Sequence, residues 1–277
     1  MTRSLIAFGA NLGPAARTFH DLINHLAGEI PAARVLASPL YLTPPVGTEN
    51  QSLGRPFING VYLVDSSVDP IEIFQTIRRS EQKFGEKDRS TWSPRSIDLD
   101  LVWSDGPVID TQPLILPHPR MHYRWFVLKP ACDLMASAIH PILKLPIADL
   151  LERVTQRAPR FIWLGKRGAT LDRIASLIQQ RLPDSPPVDC LDPSEAVAFF
   201  RLGVSRVGIK LDYPPAREAT WVLVDEEMKE SASHHSREGI TLPAVDLRHD
   251  AHKSVVQHLM DFLDSLKPGQ RWEPTET

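Results

Sequence analysis

The sequence predicts an α+β fold of ferredoxin-like sandwich type over residues 1–158, followed by a second, α/β domain over residues 159–277. Three observations lead there. Apolar runs and helical stripes follow one another in the order βαββαβα up to about residue 155, with strands next to strands and helices enough to cover one face. At 277 residues the chain exceeds one ordinary domain and falls short of three, so two cores are expected. The pattern then restarts: Gln156 to Arg160 read as a linker, and an apolar strand at 161–164 opens a second alternation of strands and helices.

Each element has its own signal. Residues 4–8 are a short apolar run ended by Gly9. Phe19, Leu22, Ile23 and Leu26 then repeat at helical spacing up to Gly28, read as the residue just past the helix. Residues 34–42 and 57–64 read as strands, separated by Thr43-Pro44-Pro45-Val46-Gly47 and a polar loop. Asp69 is a good N-cap, Pro70 suits the first helical position, and Ile71, Phe74, Ile77 and Phe84 make the stripe of the next helix, with Glu81 on that stripe. Residues 96–103 alternate like a half-buried strand, 122–135 read as a helix interrupted at Pro130, and 147–154 as a terminal helix. In the second half the pattern predicts helices at 171–182, from Ser194 and at 253–266, and strands at 188–191, 207–211 and 221–224.

Composition removes several classes of function. A net charge of −3 argues against nucleic acid or an acidic membrane surface as the main partner. Cys132 and Cys190 are far apart, with neither a CxxC partner nor zinc-like spacing, as expected of a reduced, cytoplasmic chain. The opening residues have too few apolar side chains for a signal peptide, and no apolar run reaches the ~18 residues of a membrane span.

Asp98 and Asp100 carry the clearest chemistry. Strand side chains alternate faces, so the two carboxylates point the same way with Cα atoms roughly 6.5 Å apart. Such a pair can hold hard cations that keep waters and phosphate oxygens as their other ligands. An isolated DxD is more often an acidic strand face, but here Trp92-Ser93-Pro94-Arg95 runs directly into it and adds a stacking ring and a cation able to grip phosphate. Glu81 is also informative, since a carboxylate on an apolar stripe needs a partner or a wet helix edge; an ion pair with Arg78 serves as well as a role at a site.

The run Trp92-Ser93-Pro94-Arg95-Ser96-Ile97-Asp98-Leu99-Asp100-Leu101-Val102 resembles the signature of the 6-hydroxymethyl-7,8-dihydropterin pyrophosphokinases of folate synthesis. Gly9-Ala10-Asn11-Leu12-Gly13 is similar to the family's glycine-rich turn, Thr43-Pro44-Pro45-Val46-Gly47 to its pterin loop, and Pro117-His118 with Arg124-Trp125-Phe126 to its last active-site segment. The resemblance covers about residues 4–155. It implies transfer of diphosphate from ATP to the hydroxymethyl group of the pterin, with AMP released. It further implies that Thr43, Pro44, Val46, Phe57, Asn59, Trp92 and Phe126 bind the pterin, and that Glu81, Arg95, Ile115, His118 and Arg124 bind the nucleotide. Two Mg²⁺ ions would sit on Asp98 and Asp100, and Arg95 and Arg124 would stabilise the transition state. Outside the resemblance, Phe57 reads as an ordinary strand residue, Asn59 equally as its same-face neighbour or as a site amide, since a buried amide needs partners, His118 as a solvated loop histidine and Arg124 as a surface arginine.

Some positions depart from the family pattern. Glu86 follows Gly85 where an arginine is usual, so Lys87 or Arg89 would have to supply that charge; Pro113 replaces a common basic residue, and Ala10 the usual serine. These departures keep a second class of function open, a catalytically weak pterin- or nucleotide-binding regulatory module. The second half contains no phosphate loop, because Gly165-Lys166-Arg167-Gly168-Ala169-Thr170 lacks the spacing. A degenerate nucleoside-kinase-like domain, a docking domain for a protein partner and a self-association domain are its open readings. His234-His235, and His249 with His252, read as solvated turns rather than metal ligands. An RNA-binding sheet fails for want of paired strand aromatics and a basic face.

Overall fold

The computed structural model describes residues 1–46, 55–85, 97–156, 158–164, 167–191, 196–202, 205–211, 220–224, 240–246 and 255–273. The first half runs β1 (Thr2–Ala10), α1 (Ala15–Glu29), β2 (Arg34–Ala37), β3 (Tyr41–Thr43), β4 (Phe57–Ser66), α2 (Pro70–Phe84), β5 (Asp98–Ser104), β6 (Ile109–Thr111), β7 (Leu114–Leu116), a 3-10 turn (Met121–Tyr123), α3 (Trp125–Met135) and α4 (Ile147–Thr155). The second half adds β8 (Arg160–Leu164), α5 (Ala169–Arg181), β9 (Asp189–Leu191), β10 (Ala196–Leu202), β11 (Ser205–Leu211), β12 (Thr220–Val224), β13 (Ile240–Asp246), α6 (Val255–Ser265) and β14 (Gln270–Arg271).

Local chemistry explains several boundaries. Asp69 caps α2 through its carboxylate, which accepts the Ile71 N–H at 2.8 Å, with Pro70 at the first helical position. Gly28 does not end α1; the helix runs to Glu29 and Ile30 closes it by donating to the Leu26 carbonyl, because nothing demands a left-handed residue at 28. The strand read at 34–42 divides into β2 and β3 around Ser38-Pro39-Leu40. There the Ser38 hydroxyl accepts the Val61 N–H and donates to the Pro39 carbonyl. Pro130 sits inside α3 without ending it.

The first sheet has the antiparallel order β14-β3-β4-β1-β5, with β2 beside β4. Strand alternation sorts its side chains into two cores. Ile6, Phe8, Tyr62, Val64, Leu99 and Leu101 meet α1 and α2 on one face. Leu5, Val61, Leu63, Val102 and Trp103 face α3 and α4 on the other. Helices therefore cover both faces of this sheet, where the sequence pattern leads one to expect one.

The second half forms a mixed sheet, β10-β11-β13-β12-β8-β9, parallel across β9-β8-β12-β13 and antiparallel at its β10-β11 end. The helix expected from Ser194 is instead strand β10, because Ala196–Leu202 pairs along β11 and tertiary pairing overrides an ambiguous apolar run. β13 carries no prediction from the sequence. The two halves share one core: Phe161, Trp163, Trp221, Leu223 and Phe262 belong to the same cluster as α3, α4 and the first sheet. Phe262 meets the rings of Tyr123 and Trp221 edge-on at 5.2 and 5.3 Å. The chain then returns to the first sheet, where β14 lies antiparallel to β3. Among the described residues, no helix is long and apolar enough to cross a membrane.

Buried among these layers is His140, whose Nδ1 accepts the Ile142 and Leu143 N–H groups at 3.3 and 3.2 Å. Burial, helped by the nearby His122 and Lys144, lowers its pKa from 6.5 to about 3. A histidine depressed in the folded state gives its full stability above the unfolded value and loses it as pH falls from 6.5 toward 3. We expect His140 to cost about 2 kcal/mol of stability between pH 7 and pH 5. Urea unfolding at both pH values checks this: the loss should be clearly smaller in His140→Gln.

Candidate functional site

Register brings the predicted Asn59 and Asp98 onto one row. Tyr41 of β3 lies opposite Asn59 of β4, Asn59 opposite Gly9 of β1, and Gly9 opposite Asp98 of β5. Partners across a sheet point to the same face, and Ala7 beside Asp100 packs on the α3-side core, so Asp98, Asp100 and Asn59 all rise on that side. Leu99 turns the other way, under α2. Gly9 keeps the row open: a Cβ there would stand 3.1 Å from Asn59 Oδ1.

Asn59 is buried at 5% exposure and its Nδ2 donates to Thr43 Oγ1 at 2.7 Å, with a longer contact to the Phe57 carbonyl at 3.5 Å. Thr43 is buried, while Pro44, Val46 and Phe57 are half-buried around it. The structure thus places a buried amide, its threonine hydroxyl partner and half-buried apolar side chains side by side.

At the other end of the row Glu81 locks α2 to β5. Its Oε1 accepts the Leu99 N–H at 2.8 Å and its Oε2 pairs with Arg78 at 2.5 Å. The same guanidinium reaches Asp100 at 3.9 Å. Burial works against the Arg78 charge, but the Glu81 hydrogen bond and the charges of Glu81, Asp100 and Asp98 outweigh it and raise its pKa. Burial raises the Glu81 pKa against the opposing pull of Leu99 and Arg78. Glu81 is therefore a structural tie between the two aspartates as well as a candidate contact for a nucleotide.

Facing the carboxylates is the segment leading into α3. The His118 N–H donates to the Val102 carbonyl at 2.8 Å, which ties the loop to β5. Its Nδ1 accepts the Arg120 N–H at 3.0 Å, so the neutral ring carries its proton on Nε2. Burial, with the cations Arg124 and Arg120, holds its pKa well below the usual imidazole value. Arg124 precedes α3 and stacks over Phe126 at 5.5 Å; burial disfavours its charge while Asp100 and Asp98 favour it. Ile115 is half-buried on β7. Trp92 and Arg95, like Gly47, Glu86, Lys87, Arg89, His234, His235, His249 and His252, lie outside the described residues.

Sequence reasoning missed three participants. Arg120 adds a second cation beside His118, and its signal was its place two residues on. Tyr41 donates its hydroxyl to Asp133, which also pairs with Lys129, and nothing local to β3 announces this partner. The third is β14, at the far end of the chain.

Carboxylates, a buried amide–hydroxyl pair and cations thus gather on one face of the first sheet. The model of the 7,8-dihydro-6-hydroxymethylpterin-pyrophosphokinase family matches residues 5–136. A 2-amino-4-hydroxy-6-hydroxymethyldihydropteridine pyrophosphokinase from Pseudomonas aeruginosa is 31% identical over 158 residues, 57% of this chain and 92% of that protein. One from Bacillus subtilis is 32% identical over 129 residues, 47% of this chain and 75% of that protein. The chain belongs to this family. It also resembles the folic acid synthesis protein fol1 of Pneumocystis carinii at 33% identity over 150 residues, where it spans 54% of itself but only 20% of that longer protein.

The Glu81 tie yields a stability prediction. Glu81→Ala leaves the Leu99 N–H without its acceptor and should cost about 1–3 kcal/mol, whereas Glu81→Gln keeps an oxygen at that place and should cost less. Denaturant unfolding of the two variants checks the order; equal losses would mean that the Arg78 charge, not the backbone tie, is what Glu81 contributes.

Proposed function

We propose that this chain transfers the β,γ-diphosphate of ATP to the hydroxymethyl group of 6-hydroxymethyl-7,8-dihydropterin and releases AMP, a step of folate synthesis. The observation that carries this reading is the shared row of Asn59, Gly9 and Asp98 on one face of three adjacent strands. Two strand spacings separate the amide from the carboxylate, roughly 9–10 Å. That distance suits a bicyclic ring held at Asn59 with its substituent reaching toward Asp98. The reading also takes residues 1–158 as the catalytic unit, of ferredoxin-like type, with residues 159–277 as a second unit that supplies core and assembly rather than chemistry.

Asp98 and Asp100 are fit to hold Mg²⁺. Among the described residues, no group of three or more potential ligands occurs. A pair of half-exposed carboxylates on a rigid strand leaves coordination places for water and phosphate oxygens, which is how Mg²⁺ is usually bound. When bound, two such ions would neutralise phosphate charge and orient the oxygens of an in-line displacement. Arg124 meets the anionic nucleotide from the other side, and its partial burial strengthens its pull on an arriving phosphate. The His118 Nε2 proton serves as a neutral donor at pH 7. Arg95 is a further phosphate ligand by its place in the motif, and Trp92 and Phe126 stack on the pterin. The attacking oxygen belongs to the pterin, so no protein nucleophile is needed.

The test is AMP formation from ATP on addition of the reduced pterin to the full chain. Asp98→Asn and Asp100→Asn should each lower turnover at least about 100-fold while thermal unfolding changes little, because catalysis here is electrostatic. A single-turnover rate within a few-fold of the wild type in either variant would remove the metal assignment. Pterin binding without AMP would point instead to a regulatory module.

A further inference from the structure

We infer that the C-terminal strap, residues 267–272, is a positioning element of the pterin pocket, so that the second half of the chain completes the site of the first. This inference rests on the pterin-site reading above.

β3 is three residues long, and Pro44 and Pro45 follow it with no N–H to donate, so its own backbone holds it on one side only, against β4. β14 closes the other side: Gln270 lies opposite Leu42, Arg271 opposite Tyr41, and the Trp272 N–H donates to the Leu40 carbonyl at 2.8 Å. Gly269 enters the narrowest point. A Cβ on it would stand 2.4 Å from the Leu42 carbonyl oxygen, 2.6 Å from Thr43 Cγ2 and 3.1 Å from Trp125 Cζ3, so only glycine fits unless the walls move. The strap therefore touches both sides of the candidate site at once, the threonine that holds Asn59 and the first residue of α3, which lies between Arg124 and Phe126.

Thr43 can hold the Asn59 amide only while Oγ1 points at Nδ2, and rotation about its Cα–Cβ bond would bring the methyl there instead. The backbone at Gly269, packed on that methyl, opposes the rotation. The strap is itself anchored at both ends. Asp264 of α6, 4% exposed, receives Arg181 at 3.1 Å and Lys267 at 2.9 Å, and Trp272 packs beyond the sheet edge against the core of α1 and α2. Gly269 is thus held between an ion-paired helix and a half-buried indole, with little room to retreat.

The experiment measures AMP formation by the full chain, with the reduced pterin and ATP varied separately. Gly269→Ala should raise KM for the pterin about tenfold and KM for ATP less than twofold, because the strap acts through Thr43 and Asn59. Trp272→Ala should give the same split without adding an atom to the pocket, and Trp272→Phe should restore most of the loss. Should Gly269→Ala fail to fold, the Trp272 pair decides. Equal rises in both KM values, or folded variants with wild-type kinetics, would overturn the inference. An inactive wild-type chain that also fails to bind the pterin in equilibrium dialysis would instead overturn the functional reading on which it rests.

Discussion

The face of the first sheet that carries Leu5, Val61 and Leu63 has to be removed from water, and the rest of the structure follows from how that is done. α3 and α4 lie on it behind the 3-10 turn that leads into α3, and this layer is apolar throughout: Met121 and Tyr123 of the turn, Leu128 of α3, and Leu150 and Val154 of α4 are all buried. Helices apolar on both sides need a further layer. The second half provides it, with Phe161, Trp163, Trp221 and Phe262 in the same cluster. The middle layer of this stack also holds Arg124 and Phe126, so the core that joins the halves positions one wall of the site.

The opposite wall is governed by register. A strand displaced by one residue would send Asp98 and Asp100 into the α1–α2 core and turn Leu99 outward. Register on β5 is held by the apolar demand of Leu99 and Leu101 and by the Glu81 carboxylate gripping the Leu99 N–H. The burial of Glu81 is thus tied to the placement of the two aspartates. Gly9 performs a similar service in the middle of the row by leaving room for the Asn59 side chain.

Much of this was legible in the sequence. The alternation Ile97-Asp98-Leu99-Asp100-Leu101 is enough to put both carboxylates on one face, since a period of two follows from the pleat. The cap and proline at Asp69-Pro70 start α2 as local chemistry requires. Elements failed where local signals were ambiguous: the apolar run at Ala196–Leu202 suits a helix or a strand, and its pairing with β11 decided it. Gly28 failed because glycine marks a helix end only where the backbone needs a positive φ.

The sequence by itself determined the family and the candidate residues, because those depend on residue type and short spacing: the Asp98–Asp100 pair, the Thr43-Pro44-Pro45 loop, and His118 followed by Arg124. Only the tertiary structure decided which of them meet. Asn59 and Asp98 are far apart in the chain and come onto one row through two independent strand pairings. Gly269 reaches Thr43 and Trp125 only after the chain has built a second sheet and returned along α6 to the edge of the first. Contacts of that range leave no periodicity or motif behind, since each depends on the summed geometry of every element between its two ends.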